Sequence, residues 1–261
     1  SKSMLELRTL PESLIFIGAG YIGAELAQMM SRMGVKVTVV ARSHLLPGAE
    51  PEVSEALADA FMAEGITLLT GLSYENVRRD AAGVTLRVMQ SGKPVEVTAD
   101  HLVSTAGRRA NTEGMGLEDI GVDTDARGSI IIGDDMQTSV PGIYAAGDVT
   151  DRDQFVYMAA YGAKLAVKNA VLGEEQRYEN AAMPWVVFSD PQVAGVGLSE
   201  QQARDAGFDV KTSVVPLDQV PRALAARDTR GLIKLVADRA TDKLLGGQII
   251  APAGSDTIQT L

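Results

Sequence analysis

The sequence predicts an α/β fold with more than one hydrophobic core, and three observations carry that prediction. An apolar run from Leu14 to Ile17 enters the glycine-rich turn Gly18-Ala19-Gly20-Tyr21-Ile22-Gly23, followed by a helical stretch, Gly34, and a second apolar run from Val37 to Val40. From Tyr74 to Thr98, short alternating runs separated by turn residues read as an antiparallel meander. From Met183 onward a helix-start signal and well-spaced strand runs read as a further α+β module. At 261 residues and 46% hydrophobic content, the chain has enough apolar surface to fill two domains or parts of domains.

Residues 1–10 read as a linker whose Leu5, Leu7 and Leu10 pack on a neighbouring surface. The strand at Leu14, a helix from Ala24 to Met33 and the strand Val37 to Val40 form one βαβ unit. Its glycines have separate tasks: Gly18 permits the tight turn, Gly20 lets backbone approach a pyrophosphate, and Gly23 lets helix and strand pack closely. The N–H groups at the helix start, around Tyr21 and Ile22, face the anion. The implied ligand is a dinucleotide. Where an NAD site places Asp or Glu, at the end of the second strand, this chain has Ala41-Arg42-Ser43-His44. Arg42 can grip a phosphate in bidentate fashion and Ser43 can add a hydrogen bond, so the site reads as NADP(H) rather than NAD. His44 reads equally as a ligand and as a loop residue.

Pro51 to Glu64 has helical spacing and is closed by Gly65, and Ile66 to Leu69 supplies a third parallel strand. The meander comprises Tyr74–Val77, Gly83–Val88 and Val95–Thr98. His101 to Thr105 then returns to the parallel sheet, with His101 a strand-edge residue. The run Ser104 to Thr112 leaves that sheet at its carboxyl edge, where open α/β sheets bind ligands, and brings Ala106, Gly107 and Arg108 toward a cofactor. Further on, Ile130–Ile132 is expected as a strand, as is the apolar stretch from Gly142 that ends in Gly147-Asp148. Asp148 reads equally as a turn aspartate and as a ligand. A helix from Gln154 to Leu172 follows. Ser199 caps a helix from Gln201 to Ala206, and strands are expected near Val210–Val215, Gly231–Val236 and Leu244–Ile250.

The net charge of −10 disfavours nucleic acid and an anionic membrane surface as partners. With no cysteine, the chain makes no disulfide and performs no thiol chemistry of its own. No apolar run reaches the length of a membrane span and no signal-peptide pattern opens the sequence, so a soluble cytoplasmic protein is expected.

The Gly18–Glu25 turn, the Ser104–Thr112 run and the Gly142–Val149 run together resemble the pyridine nucleotide-disulfide oxidoreductases, and the likeness extends over essentially the whole chain. The resemblance implies an α/β architecture: a Rossmann-like NAD(P)-binding domain with an inserted meander over residues 11–109, the second part of an FAD-binding domain over 110–180, and an incomplete α+β interface domain over 181–261. It implies NADP(H) and FAD as cofactors, with Asp148, beside Gly147, bonding the flavin's ribityl chain. The backbone at Phe155 and Val156 would bring a helix N-terminus to the flavin, where its dipole stabilises the reduced form. Tyr21 matches a tyrosine that lids the nicotinamide pocket in some relatives. Glu25 matches a glutamate near the carboxamide, or is a helix-surface residue. An internal part of a longer homodimeric enzyme is expected, one acting on a small-molecule or metal-ion substrate. Its redox cysteines would lie outside these residues, and the stretch alone would be inactive. The alternative is a non-catalytic NADP-binding module; the Gly142–Val149 run favours the enzyme, because a stand-alone nucleotide binder needs no ribityl contact.

Overall fold

The computed structural model describes residues 2–261. It divides into two compact units: residues up to 107 together with 181–261, and residues 108–180.

In the first unit, β1 (Ser13–Ile17) is almost wholly buried because the sheet is covered on both faces, which is why it reads as a continuous apolar run. Helix α1 (Tyr21–Arg32) buries Gly23, Ala24, Ala27 and Met30 along one stripe. It starts three residues before the expected Ala24, so the last glycine of the turn lies inside the helix. β2 (Lys36–Val40) leads by a loop to α2 (Pro51–Ala63), which has proline in its first turn, and then to β3 (Thr67–Leu69). The meander is β4 (Leu72–Asp80), β5 (Gly83–Gln90) and β6 (Lys93–Ala99), antiparallel in that order. Its strands run longer than their apolar cores because polar residues continue the ladder, pairing Arg78 with Thr85, Asp80 with Gly83 and Gln90 with Lys93. Leu72, Leu86 and Val88 of the meander share a core with Ile15 and Val40. β7 (His101–Ser104) returns to pair with β1, giving a parallel sheet in the order β3-β2-β1-β7. His101 is half-buried on the edge strand of that sheet. Its neighbour Asp100 accepts the N–H groups of Glu12 and Ser13 at 2.7 and 3.1 Å.

Residues 108–180 hold α3 (Val156–Val167), prolonged by a wide turn over Lys168–Leu172. The strands expected at Ile130–Ile132 and from Gly142 do not form ladders. They make isolated bridges, Thr124 with Ile130, Ile132 with Thr138 and Gln137 with Tyr144. Turns interrupt each extended stretch after two or three residues, and a small core of Met136, Leu165 and Ala166 flanked by tyrosines holds them.

The remainder of the first unit is an antiparallel sheet. β8 (Trp185–Val187) and β9 (Gln192–Gly197) precede α4 (Glu200–Asp205), followed by β10 (Val210–Pro216), α5 (Pro221–Ala226), β11 (Leu232–Asp238), β12 (Leu244–Ala251) and α6 (Gly254–Thr257). The strand order is β10-β11-β12-β9-β8, two strands more than the sequence signals mark. Ser199 and Gln202 complete a reciprocal cap at the start of α4, as their spacing predicts.

One face of α1 is stitched to the β8–β9 turn. Phe188 N–H donates to Glu25 at 2.8 Å, while Gln28 both accepts from Asp190 N–H at 2.8 Å and donates to its carbonyl at 2.7 Å. Arg32 binds Glu64 through two nitrogens at 2.6 and 2.9 Å, and Asp190 at 2.8 Å. Asp190 also meets Arg230, which grips Asp228 at 2.7 Å. The Arg32 hydrogen bond holds Glu64 below its ordinary value, Arg230 does the same for Asp228, and Arg204 followed by Lys234 does so for Glu200.

A carboxylate whose folded-state pKa is depressed stabilises the fold above its unfolded value and loses that contribution as the pH falls through the folded value. Thermal unfolding is therefore expected to hold steady from neutrality to just above the ordinary glutamate value of 4.5 and to fall below it. Circular dichroism melts across pH check this, and Arg32→Met should flatten part of the acid slope.

Candidate nucleotide-binding site

The first three groups of expected site residues meet at the carboxyl edge of the parallel sheet. Gly18 follows β1, Arg42 follows β2 and Ala106 follows β7, so the three strand ends form one rim. Gly18 N–H donates to Val40 O at 3.0 Å and Thr105 N–H to Ile17 O at 2.8 Å, which ties the rim together.

Glycine is required at two positions for different reasons. Gly18 has φ of +100°, and a Cβ there would stand 2.8 Å from Thr105 O. A Cβ on Gly23 would meet Gly18 O at 2.3 Å and Thr105 Oγ1 at 2.8 Å, so this glycine sets how closely α1 approaches the sheet. Thr105, which the sequence did not single out, donates its hydroxyl to Ile17 O at 3.0 Å and Gly18 O at 2.9 Å and locks the turn from the far side. Gly20 differs from both: a Cβ there would meet nothing within 4 Å. The space is open on the side where α1 begins with neither a side-chain cap nor an acidic residue in its first turn, at Tyr21, Ile22 and Gly23. A helix start of this kind fits a pyrophosphate.

At the end of β2, Ala41 is buried while Arg42, Ser43 and His44 are exposed, and no carboxylate occupies the loop before Glu50. Tyr74, on the meander, donates to Val40 O at 3.0 Å. Burial raises its phenol above the usual value, and the positive charge of Arg42 works against that shift. The Arg42 side of the rim is thus bounded by the meander, a neighbour that sequence spacing gives no sign of. Ala106 and Gly107 are exposed on the third strand end. Tyr21 stacks on Trp185, centroids 5.5 Å apart at 10°, and burial raises its pKa. Glu25 engages Phe188 N–H through one carboxylate oxygen, so its side chain faces the β8–β9 turn.

The remaining expected residues lie in the unit 108–180. Arg108 and Asp148 are joined in an ion pair. Gly147 has φ of +82°, with the Ala159 methyl 3.1 Å from where a Cβ would be, so the chain passes close over α3 before the turn that Asp148 opens. Phe155, stacked on Tyr157, and exposed Val156 start α3 without a side-chain cap or an acidic residue in its first turn. A hydroxyl-rich chain fits a carboxylate held by arginine, and an electron-rich ring system fits the α3 start. These residues suit the ribityl and ring portions of a flavin.

Residues 1–170 match the family described as pyridine nucleotide-disulphide oxidoreductase, and residues 183–261 match its dimerisation domain. The chain belongs to the pyridine nucleotide-disulphide oxidoreductases. Members of this family use FAD and NAD(P)H. The chain is 44% identical to a mercuric reductase of Bacillus cereus and 42% identical to one of Streptomyces lividans, each over 99% of its own length. It spans 41% and 54% of those two proteins. Among solved structures it is similar to LpdA from Mycobacterium tuberculosis (TM-score 0.85, 31% identity, 98% of this chain and 55% of that one). It is also similar to the HOCl-induced flavoprotein disulfide reductase RclA from Escherichia coli (TM-score 0.86, 28% identity, 98% and 59%). Among the described residues, no helix is long and apolar enough to cross a membrane.

Two substitutions separate the tasks of the glycines in this turn. Gly23→Ala is expected to destabilise the fold by about 1–3 kcal/mol, because backbone rather than a flexible side chain opposes the new methyl. Gly20→Ala should fold normally and lose dinucleotide affinity. Chemical denaturation with a nucleotide titration of each variant checks both; a Gly20→Ala protein that keeps full affinity contradicts the placement of the pyrophosphate.

Proposed function

We propose that the chain is the NADPH-binding and interface portion of an FAD-dependent mercuric reductase. The observation that carries the nucleotide choice is the end of β2, where Arg42 and Ser43 are exposed on the rim of strand ends and no acidic residue is present before Glu50. A ribose 2′-hydroxyl site needs an acceptor there, whereas a 2′-phosphate site needs charge and room.

In this reading the chain's residues bind and orient. The start of α1 holds the pyrophosphate, Arg42 and Ser43 hold the 2′-phosphate, and Tyr21 and Glu25 border the nicotinamide. Asp148, steadied by Arg108, holds the ribityl chain, and Ala106 and Gly107 border the cofactor at the third strand end. FAD, held through Asp148 and the start of α3, would supply two-electron redox chemistry between the nicotinamide and a thiol pair. That pair belongs to residues other than these, because this chain has no cysteine.

The mercuric substrate is favoured by relatives at 38–44% identity. It is favoured also by the segment Val220-Pro221-Arg222-Ala223-Leu224 with Asp228-Thr229-Arg230-Gly231, which resembles mercuric reductase in wording. Here this segment is α5 and the turn that Arg230 and Asp228 clasp. Soft thiolates supplied by the rest of the enzyme would bind Hg(II). Within the same family, a reductase of the dihydrolipoamide, glutathione or transhydrogenase type is the second reading; the structural likeness to RclA, a flavoprotein disulfide reductase, fits it as well as the first.

NADPH is expected to bind more tightly than NADH, and Arg42→Glu should cost NADPH about 1.5–3 kcal/mol, the range of a charge-assisted contact. Isothermal titration of both nucleotides checks this, and equal affinities in the unmodified protein overturn the NADP reading. The 261-residue chain is further expected to show no NADPH-dependent reduction of Hg(II) or disulfides, and to purify without stoichiometric FAD. In the longer gene the mercury reading requires a cysteine pair ahead of this stretch and a second pair after it. A first pair with a His-Glu ending instead reassigns the enzyme to the second reading.

A further inference from the structure

The loop from Ala41 to Glu50 carries Arg42 and Ser43, and it is tethered at three points. At its start Ala41 N–H donates to Leu69 O at 2.8 Å. In its middle Leu46, fully buried with φ of +49°, donates to Ala19 O at 2.7 Å, joining this loop to the glycine turn. At its end Glu50 is only 3% exposed, and its partners come from the antiparallel sheet and its helix α4. Glu50 N–H donates to Gln248 Oε1 of β12 at 2.7 Å, and its carboxylate accepts Glu200 N–H at 2.6 Å and Lys234 Nζ at 3.0 Å.

Lys234, on β11, is 2% exposed and sits among three carboxylates. Besides Glu50, its ammonium reaches Glu52 at 2.9 and 3.0 Å and Glu200 at 2.9 Å. Without it, three like charges would share a site with little water to screen them. Among the described residues Glu50 pairs with no other cation, whereas Glu200 keeps Arg204 at 2.7 Å and Glu52 is partly exposed.

We propose that Lys234 is a positioning residue for nucleotide discrimination: from the antiparallel sheet it holds Glu50, and through Glu50 it sets the course of the loop that carries Arg42. This rests on the reading of Arg42 as the 2′-phosphate contact. With both ends and the middle of the loop held, the exposed stretch Arg42–His44 has a defined relation to Gly20. When the Glu50 carboxylate is released, the loop end keeps only the backbone bond of Glu50 to Gln248, so the first turn of α2 is held less firmly and Arg42 is aimed less tightly. The pyrophosphate contacts at the α1 start belong to the βαβ unit and serve NADH and NADPH alike. Loss of Lys234 therefore acts selectively on the phosphorylated nucleotide.

The test titrates NADPH and NADH into the full chain and into Lys234→Met, Glu50→Gln and Arg42→Glu, with a thermal melt of each. Lys234→Met is expected to weaken NADPH about tenfold while NADH changes by less than about twofold, and Glu50→Gln to shift the ratio in the same direction. A lower Tm with an unchanged NADPH-to-NADH ratio in both variants overturns the proposal and leaves Lys234 a structural residue. If Lys234→Met does not fold, the ratio in Glu50→Gln decides alone. An unchanged ratio in Arg42→Glu is a different failure, of the nucleotide reading itself, and removes the basis for the inference.

Discussion

The closeness of α1 to the parallel sheet is the constraint on which the rest of the site depends. It exists because two positions carry no Cβ: a methyl on Gly23 would stand 2.3 Å from Gly18 O, and one on Gly18 would stand 2.8 Å from Thr105 O. Since neither contact can relax without moving backbone, the start of the helix is held over the ends of β1 and β7. The unbonded N–H groups of a helix start carry partial positive charge, so the packing constraint is also an electrostatic one. Packing accounts for Gly18 and Gly23, whereas Gly20, with open space beside it, has no such packing demand.

Outside that turn, the nucleotide rim borrows its order from other parts of the fold. The meander covers the Arg42 side through Tyr74, and the antiparallel sheet anchors the loop end through Lys234 and Gln248. Helix α1 is joined to the β8–β9 turn at three residues on one face, Glu25, Gln28 and Arg32. Buried ion pairs add little net stability, because desolvation offsets most of the attraction, but they fix geometry strongly once formed. The Lys234 cluster fits that description better than it fits a source of stability. Its three carboxylates also show how a chain of net charge −10 distributes its acid groups, pairing them in networks and leaving the rim at Arg42 to His44 without one.

Much of this was legible in the sequence and some was not, for reasons that differ by residue. The βαβ unit, Gly65, the meander and the Ser199 cap were legible because each is decided within a few residues, by periodicity, by a turn or by a reciprocal hydrogen bond. The start of α1 was misplaced by one turn because glycine has low helix propensity, and packing overrode that preference at Gly23. Ile130–Ile132 has the composition of a strand but forms only single bridges, since a ladder needs a partner of matching length and the turns around it supply none. β8 and β9 were missed as members of the antiparallel sheet because pairing is not written in either strand alone.

By itself, then, the sequence determined the local elements, the glycine turn and the absence of a carboxylate after β2, the features on which the NADP reading rests. Only the tertiary structure decided what holds that site in place. Glu50 and Lys234 are 184 residues apart, and each read alone is a charged residue of the kind that faces water. Their meaning comes from burial, which makes an unpaired charge so unfavourable that partners must be found, and burial is a property of the assembled layers rather than of any stretch of chain.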